Sequence, residues 1–374
     1  MKKILGVAAL SGAVALVLAA CGSAPSSEST GTAGTTPGST ATTSNFKACM
    51  VSDSGGFNDK SFNESGYNGL MQASKDLGIQ TATAESKQAS DFAPNIQNMI
   101  GQNCNLVVTV GFLLATATGD AGKANPNVDF AIVDSTAQDA KGNTIALDNV
   151  KPISFDTVQA AYLAGYVAAG MTKTGTVATF GGINIPTVTI FMDGFYDGVQ
   201  KYNEVHSKSV KVLGWDPAKP KQGSFTGDFE DQSKGQQLTN TFIDQGADII
   251  LPVAGPVGGG TLAAAHDANT AGKAISVIWV DSDGVETNPD SADIILTSVM
   301  KQIGQAVQDV VKASSGGNFS NEPYVGTLKN EGVGIAPFHN FDSKVPQDLK
   351  DEVKQLQQDI IDGKITVTSP SSPK

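Results

Sequence analysis

Arginine is missing: all 25 basic residues of the 374-residue chain are lysine. No side chain can therefore grip a carboxylate or phosphate with the planar, two-pronged fork of a guanidinium. Histidine and cysteine are nearly as scarce. His206, His266 and His339 stand far apart, and cysteine occurs only at Cys21, Cys49 and Cys104, so zinc-site spacings are absent. There is no Gly-x-Ser-x-Gly elbow, no His-Glu-x-x-His and no evident nucleophile–base pair, which argues against an enzyme. The run from Gly255 to Gly260 lacks the Lys-Ser/Thr pair of a phosphate loop. Positive charge is short overall: 37 acidic residues leave a net charge of −12, the wrong sign for a nucleic-acid backbone binder. What remains is a globular composition, 17% charged and 40% hydrophobic. The length points to two domains, because single cores stop growing at roughly 250–300 residues.

The N-terminus reads as a sorting signal. Lys2 and Lys3 precede an apolar run from Ile4 to Ala20, short for a membrane-spanning helix. The run ends in Leu18-Ala19-Ala20-Cys21-Gly22, which resembles the bacterial lipobox, where cleavage leaves an acylated cysteine as the new N-terminus. An ordinary secretory signal ending at a chance cysteine is the alternative. On the lipobox reading, residues 1–20 are a signal peptide and Cys21 is the lipidation site. Cleavage then leaves 23 lysines against 37 acidic residues, a mature charge of −14. Residues 21–45, nearly all Ser, Thr, Gly, Ala and Pro, cannot build a core and read as a flexible tether. A coil of about 24 residues spans roughly 27 Å.

Beyond the tether, short apolar runs at 46–51, 79–84, 106–110 and 128–133 alternate with helical periodicity, and the pattern recurs at 176–180, 210–215, 248–253 and 274–280. Two such series predict an α/β protein with two doubly wound parallel sheets. Residues 46–155 plus 284–322 are expected to form lobe 1, residues 156–283 plus 323–366 lobe 2, and 367–374 a tail. Strands are expected at 293–297 and within 323–335, and helices at 301–313 and 347–362. Ligands of such sheets sit beyond the C-terminal strand ends, where this sequence places Asp53, Gly111-Phe112, Asp134, Gly181-Gly182, the 215–231 loop, Gly255 and Asp281-Ser282-Asp283. Turn and cap preferences account for about half of these positions. They account less well for an aspartate after the first strand, after the fourth and after the last of the second series. Three carboxylates suit a ligand with several neutral donors, such as a sugar or nucleoside.

The stretch from Val51 to Ser65, VSDSGGFNDKSFNES, resembles the signature of the basic membrane protein family, lipoprotein substrate-binding components of ABC importers that include purine-nucleoside receptors. Val110-Gly111-Phe112, Ile132-Val133-Asp134, Phe180-Gly181-Gly182, Asp228-Phe229-Glu230-Asp231, Val280-Asp281-Ser282-Asp283 and Leu296 to Lys301 follow in family-like order. The resemblance implies a type I periplasmic-binding-protein fold, two lobes joined by a hinge, and no catalysis. It implies Asp53 and Asn63 at the base edge, Phe62 and Phe229 sandwiching the base, and Asp281 and Lys301 on the ribose hydroxyls. Asp134 would lie nearby, and Gly255 would allow close backbone approach. Phe191 is a further candidate wall. A longer spacer before Lys301 leaves Asp281 and Asp283 as alternatives for the ligand-facing role. The partners implied are a purine nucleoside, an ABC-transporter permease and, through the lipid anchor, the extracytoplasmic face of the cell membrane, with no nucleic acid, no metal and no cofactor, and with the protein a monomer. A free sugar or other neutral small ligand is the alternative occupant.

Cys49 lies in the first strand and Cys104 just before the third. In a lobe that sets those strands side by side the two can meet, and the extracytoplasmic compartment permits a bridge. Two buried free thiols are the alternative.

Overall fold

The computed structural model describes residues 45–373; the expected signal peptide, the expected lipidation site Cys21 and nearly all of the expected tether lie outside them. The chain runs β1 (Lys47–Ser52), α1 (Phe62–Leu77), β2 (Gln80–Ala84), α2 (Ala89–Gly101), β3 (Leu106–Val110), α3 (Ala115–Ala124), β4 (Asp129–Val133) and β5 (Val150–Phe155). It continues through α4 (Val158–Met171), β6 (Thr176–Gly181), α5 (Pro186–His206), β7 (Lys211–Leu213), α6 (Gln232–Asp244), β8 (Ile249–Val253), α7 (Gly258–Thr270) and β9 (Ser276–Asp281). Last come α8 (Gly284–Thr287), β10 (Ile295–Lys301), α9 (Ile303–Ser315), β11 (Tyr324–Gly326), β12 (Val333–Ile335) and α10 (Gln347–Ile361).

Two six-stranded sheets result, ordered β11-β5-β4-β3-β1-β2 and β12-β10-β9-β8-β6-β7. All pairings are parallel except β10 with β12. The central strands β3 and β8 are buried along their whole length, as parallel strands covered by helices on both faces must be. The two orders match place for place, so β4 of the first sheet corresponds to β9 of the second. This is the α/β, two-lobed architecture that the alternating pattern predicts.

Three features differ from the expectation. Residues 284–322 do not all join lobe 1: β10 pairs with β9 in the second sheet. Nor do residues 323–366 all join lobe 2, because β11 pairs with β5 in the first. Sequence order shows that a late strand exists but not which open sheet edge it will cap. The third is β5, which sequence patterning misses because Lys151, Pro152 and Ser154 break its apolar run. Pro152 is tolerated because β11 pairs only with Ile153, Ser154 and Phe155.

In the second lobe α4 is buried almost end to end and lies on α5. A Cβ on Gly165 would sit 2.1 Å from the Phe195 carbonyl oxygen, and one on Gly198 would sit 2.0 Å from that of Tyr162, so glycine at both positions sets how closely the two helices pack. In the first lobe Cys49 and Cys104 are joined in a disulfide, with Cα atoms 5.9 Å apart. No helix among the described residues is long and apolar enough to cross a membrane.

Candidate functional site

The C-terminal ends of both sheets face a single cavity with about 530 Å³ of space not filled by atoms. Asp53, Phe62, Asn63, Asp134, Phe229, Gly255, Asp281 and Lys301 all line it, so the structure brings every sequence-predicted ligand residue together.

Lys301 is placed differently from expectation. A helix was expected to open there; instead Lys301 is the last residue of β10, and α9 begins at Ile303. Its side chain is buried. The ammonium donates to Asp134, lies 3.5 Å from Asp281 Oδ1, and sits 5.1 and 4.9 Å from the ring centroids of Phe62 and Phe191. Burial alone would lower the lysine's pKa, but the two carboxylates hold it above its ordinary value. Burial raises that of Asp134, with Lys301 opposing. The ammonium is therefore kept charged, and the pair is a buried ion pair stabilised by a second carboxylate.

Both aspartates end corresponding strands, and both adopt left-handed backbone, φ 61° for Asp134 and φ 68° for Asp281. Such conformations are uncommon outside glycine and concentrate where a side chain must be aimed. Asp281 also accepts from Ser61 Oγ at 2.8 Å. Of the two candidates Asp281 and Asp283, Asp281 lines the cavity, whereas Asp283 caps α8, accepting from Val285 N at 3.1 Å, and pairs with His339 Nε2 at 2.7 Å.

At the other end of the cavity, Asn63 Nδ2 donates to Asp53 Oδ1 at 3.1 Å and to the Ser54 carbonyl at 3.4 Å. Its Oδ1 is, among the described residues, the one buried side-chain polar atom with no partner. Burial pushes the Asp53 carboxyl up to about 8; the Asn63 bond opposes this, and repulsion from Asp59 and Asp134 adds to it. At neutral pH Asp53 thus carries a proton it can donate, beside an asparagine oxygen that can only accept.

Asp59 is the residue sequence reading missed. It accepts from the backbone N–H groups of Ser61 at 3.0 Å, Asn63 at 2.8 Å and Glu64 at 3.0 Å, and so holds the first turn of α1 that presents Phe62 and Asn63. Burial pushes it up to about 6 against those bonds. An aspartate just before a helical run is the signal that marks it.

Phe62 and Phe229 are half-buried, unlike Phe191, which is fully buried. Phe229 rides on the loop before α6 and rests on Gly182, where a Cβ would meet its ring at 2.4 Å. Gly255 has φ 52° with open space before it. Lobe-to-lobe contacts close one side: the Lys60 carbonyl accepts from Trp279 Nε1 and from Ser282 Oγ, both at 3.0 Å. Among the described residues no cluster of His, Cys, Asp or Glu is arranged to hold a metal ion.

Residues 46–369 match the family described as ABC transporter substrate-binding protein, PnrA-like. The ABC transporter nucleoside-binding protein BmpA of Lactococcus lactis subsp. cremoris is 31% identical over 98% of this chain and 99% of its own. Basic membrane protein A of Borreliella burgdorferi is 27% identical over 86% and 88%. Among solved structures, an ABC transporter solute-binding protein from Aeropyrum pernix K1 superposes with a TM-score of 0.77 at 22% identity, over 87% of this chain and 94% of that one.

Proposed function

The chain belongs to the family of PnrA-like ABC-transporter substrate-binding proteins, and we propose that it captures a purine nucleoside between its two lobes for delivery to a permease. The observation that carries this reading is the unpartnered Asn63 Oδ1, on a side chain bonded to the buried Asp53, on the wall of a cavity that also holds an aromatic ring from each lobe. A purine edge offers neighbouring donors and acceptors, which such a pair complements. Rings above and below the base supply stacking of about 1–3 kcal/mol per base. At the far end, Asp134 and Asp281 accept sugar hydroxyls, and the charged Lys301 ammonium sits between the two carboxyl groups. No step makes or breaks a bond; the site binds, orients and excludes water.

The Lactococcus relative's description as nucleoside-binding supports the same ligand class. The lipobox-like Leu18 to Cys21 of this chain supports an acyl anchor on the extracytoplasmic face. Calorimetry of the purified protein against adenosine, guanosine, inosine, ribose, galactose and an amino-acid panel tests the reading. Heat is expected with the nucleosides; heat confined to the free sugars overturns it.

A further inference from the structure

The cavity does not end at the Lys301 ion pair. Phe112, Asp134, Thr187 and Lys301 line both it and a second, larger chamber, with about 1390 Å³ of space not filled by atoms and one side open to solvent. The chamber lies between the first sheet, which contributes Ser135, Ser154, Phe155 and Val325, and the start of α5, which contributes Pro186 and Ile190. Its outer wall is the C-terminal segment Pro370 to Pro373. That wall is fastened: Ser369 Oγ donates to Asp193, Ser371 Oγ bonds Thr189 Oγ1 at 2.8 Å, and Ser372 Oγ donates to Asp156 Oδ1 at 2.9 Å. Thr189 and Asp193 lie on α5 of the second lobe, while Asp156 stands where the chain leaves β5 of the first.

The chamber's chemistry is specific. Apart from the Asp134–Lys301 pair, no charged side chain among the described residues lines it; hydroxyls, an amide and prolines do. A nucleoside has three outward directions: the base, the vicinal hydroxyls and the 5′ carbon. On the reading above, which this inference rests on, the first is taken up by Asp53, Asn63 and the two phenylalanines, and the second by Asp281 and Lys301. The third is left to point past Asp134 into the chamber.

We infer that the protein accepts nucleosides carrying a neutral 5′ substituent larger than a hydroxyl, housed in this chamber, and rejects the 5′-phosphates. A phosphate brings about −1.5 to −2 charges to a site without arginine. The single ammonium there is already shared by two carboxylates, and Asp53 and Asp59 stand behind them.

The test is calorimetry at pH 7 with adenosine, 5′-deoxy-5′-(isobutylthio)adenosine and AMP, on the wild type and on Thr144→Trp. Thr144 is exposed, lines the chamber and does not line the first cavity. For the wild type, adenosine and the thioether are expected to bind within about tenfold of each other and AMP at least about a hundredfold more weakly. Thr144→Trp is expected to keep adenosine affinity, which also shows it folded, and to weaken the thioether by about tenfold or more. A wild type that binds adenosine but not the thioether, or binds AMP as well as adenosine, overturns the inference and leaves the nucleoside reading standing. Equal thioether affinity in wild type and Thr144→Trp also overturns it. If adenosine fails to bind, the same comparison is made with guanosine or inosine and its 5′-thioether and 5′-phosphate; if none of the three nucleosides binds, both readings fall together.

Discussion

Lys301 ends a strand of the second sheet, yet its ammonium is bonded to Asp134, at the end of a strand of the first. The pair ties the lobes at the floor of the cavity, out of solvent. Removing the cation leaves two buried carboxylates facing each other. Lys301→Ala is expected to lower unfolding stability by about 3–5 kcal/mol, the usual cost of breaking a buried pair from one side. Adding Asp134→Asn should restore part of it. Urea denaturation of the two variants checks this; a Lys301→Ala midpoint equal to wild type refutes the burial argument.

The aromatic pair makes a separate claim. Phe62→Ala and Phe229→Ala are each expected to weaken nucleoside binding by about 1–3 kcal/mol, or roughly 5- to 150-fold, with folding intact. Gly182→Ala should act like Phe229→Ala, since the added methyl displaces that ring from its seat. Titration of the Phe62→Ala, Phe229→Ala double variant decides the matter, and unchanged affinity removes stacking from the account.

Stability should fall as pH rises. Asp53 and Asp59 are raised from 3.8 to about 8 and about 6 by burial, and Asp134 is raised too. The native state therefore holds protons that the unfolded chain releases near pH 4. Their stabilisation is fully present below that pH and is lost as pH climbs through about 6 and then about 8. Thermal melts of the ligand-free protein between pH 5 and 9 should show a declining midpoint, and Asp53→Asn should flatten its upper part. A midpoint rising across pH 6–9 contradicts the assignment.

Cys21→Ser should move the protein from the membrane fraction to the soluble extracytoplasmic fraction. Continued sedimentation with membranes would exclude the lipobox reading.

What the sequence displays well is whatever is local. Asp53, Phe62 and Asn63 sit in one fifteen-residue signature, and Asp134, Gly255 and Asp281 end apolar runs that are plain to see. Lys301 was harder, because Lys301 and Gln302 lead straight into the helical pattern of α9 and nothing in the one-dimensional record separates strand end from helix start. Asp59 was overlooked as one polar residue among many. The chamber was hidden for a different reason. Ser369 to Pro373 has the composition of a disordered tail, and only partners remote in sequence, Asp156, Thr189 and Asp193, hold it in place.

The exchange of late strands between the sheets has a consequence for the nascent chain. Neither lobe is one continuous stretch, so neither can finish folding in the order of synthesis. β5 must wait with an open edge until Tyr324–Gly326 arrives, and α1 lacks its packing partner α9 for nearly as long. An unpaired parallel edge is a template for wrong pairing with other chains. Pro152 offers no backbone N–H in that strand, one donor fewer for such mispairing.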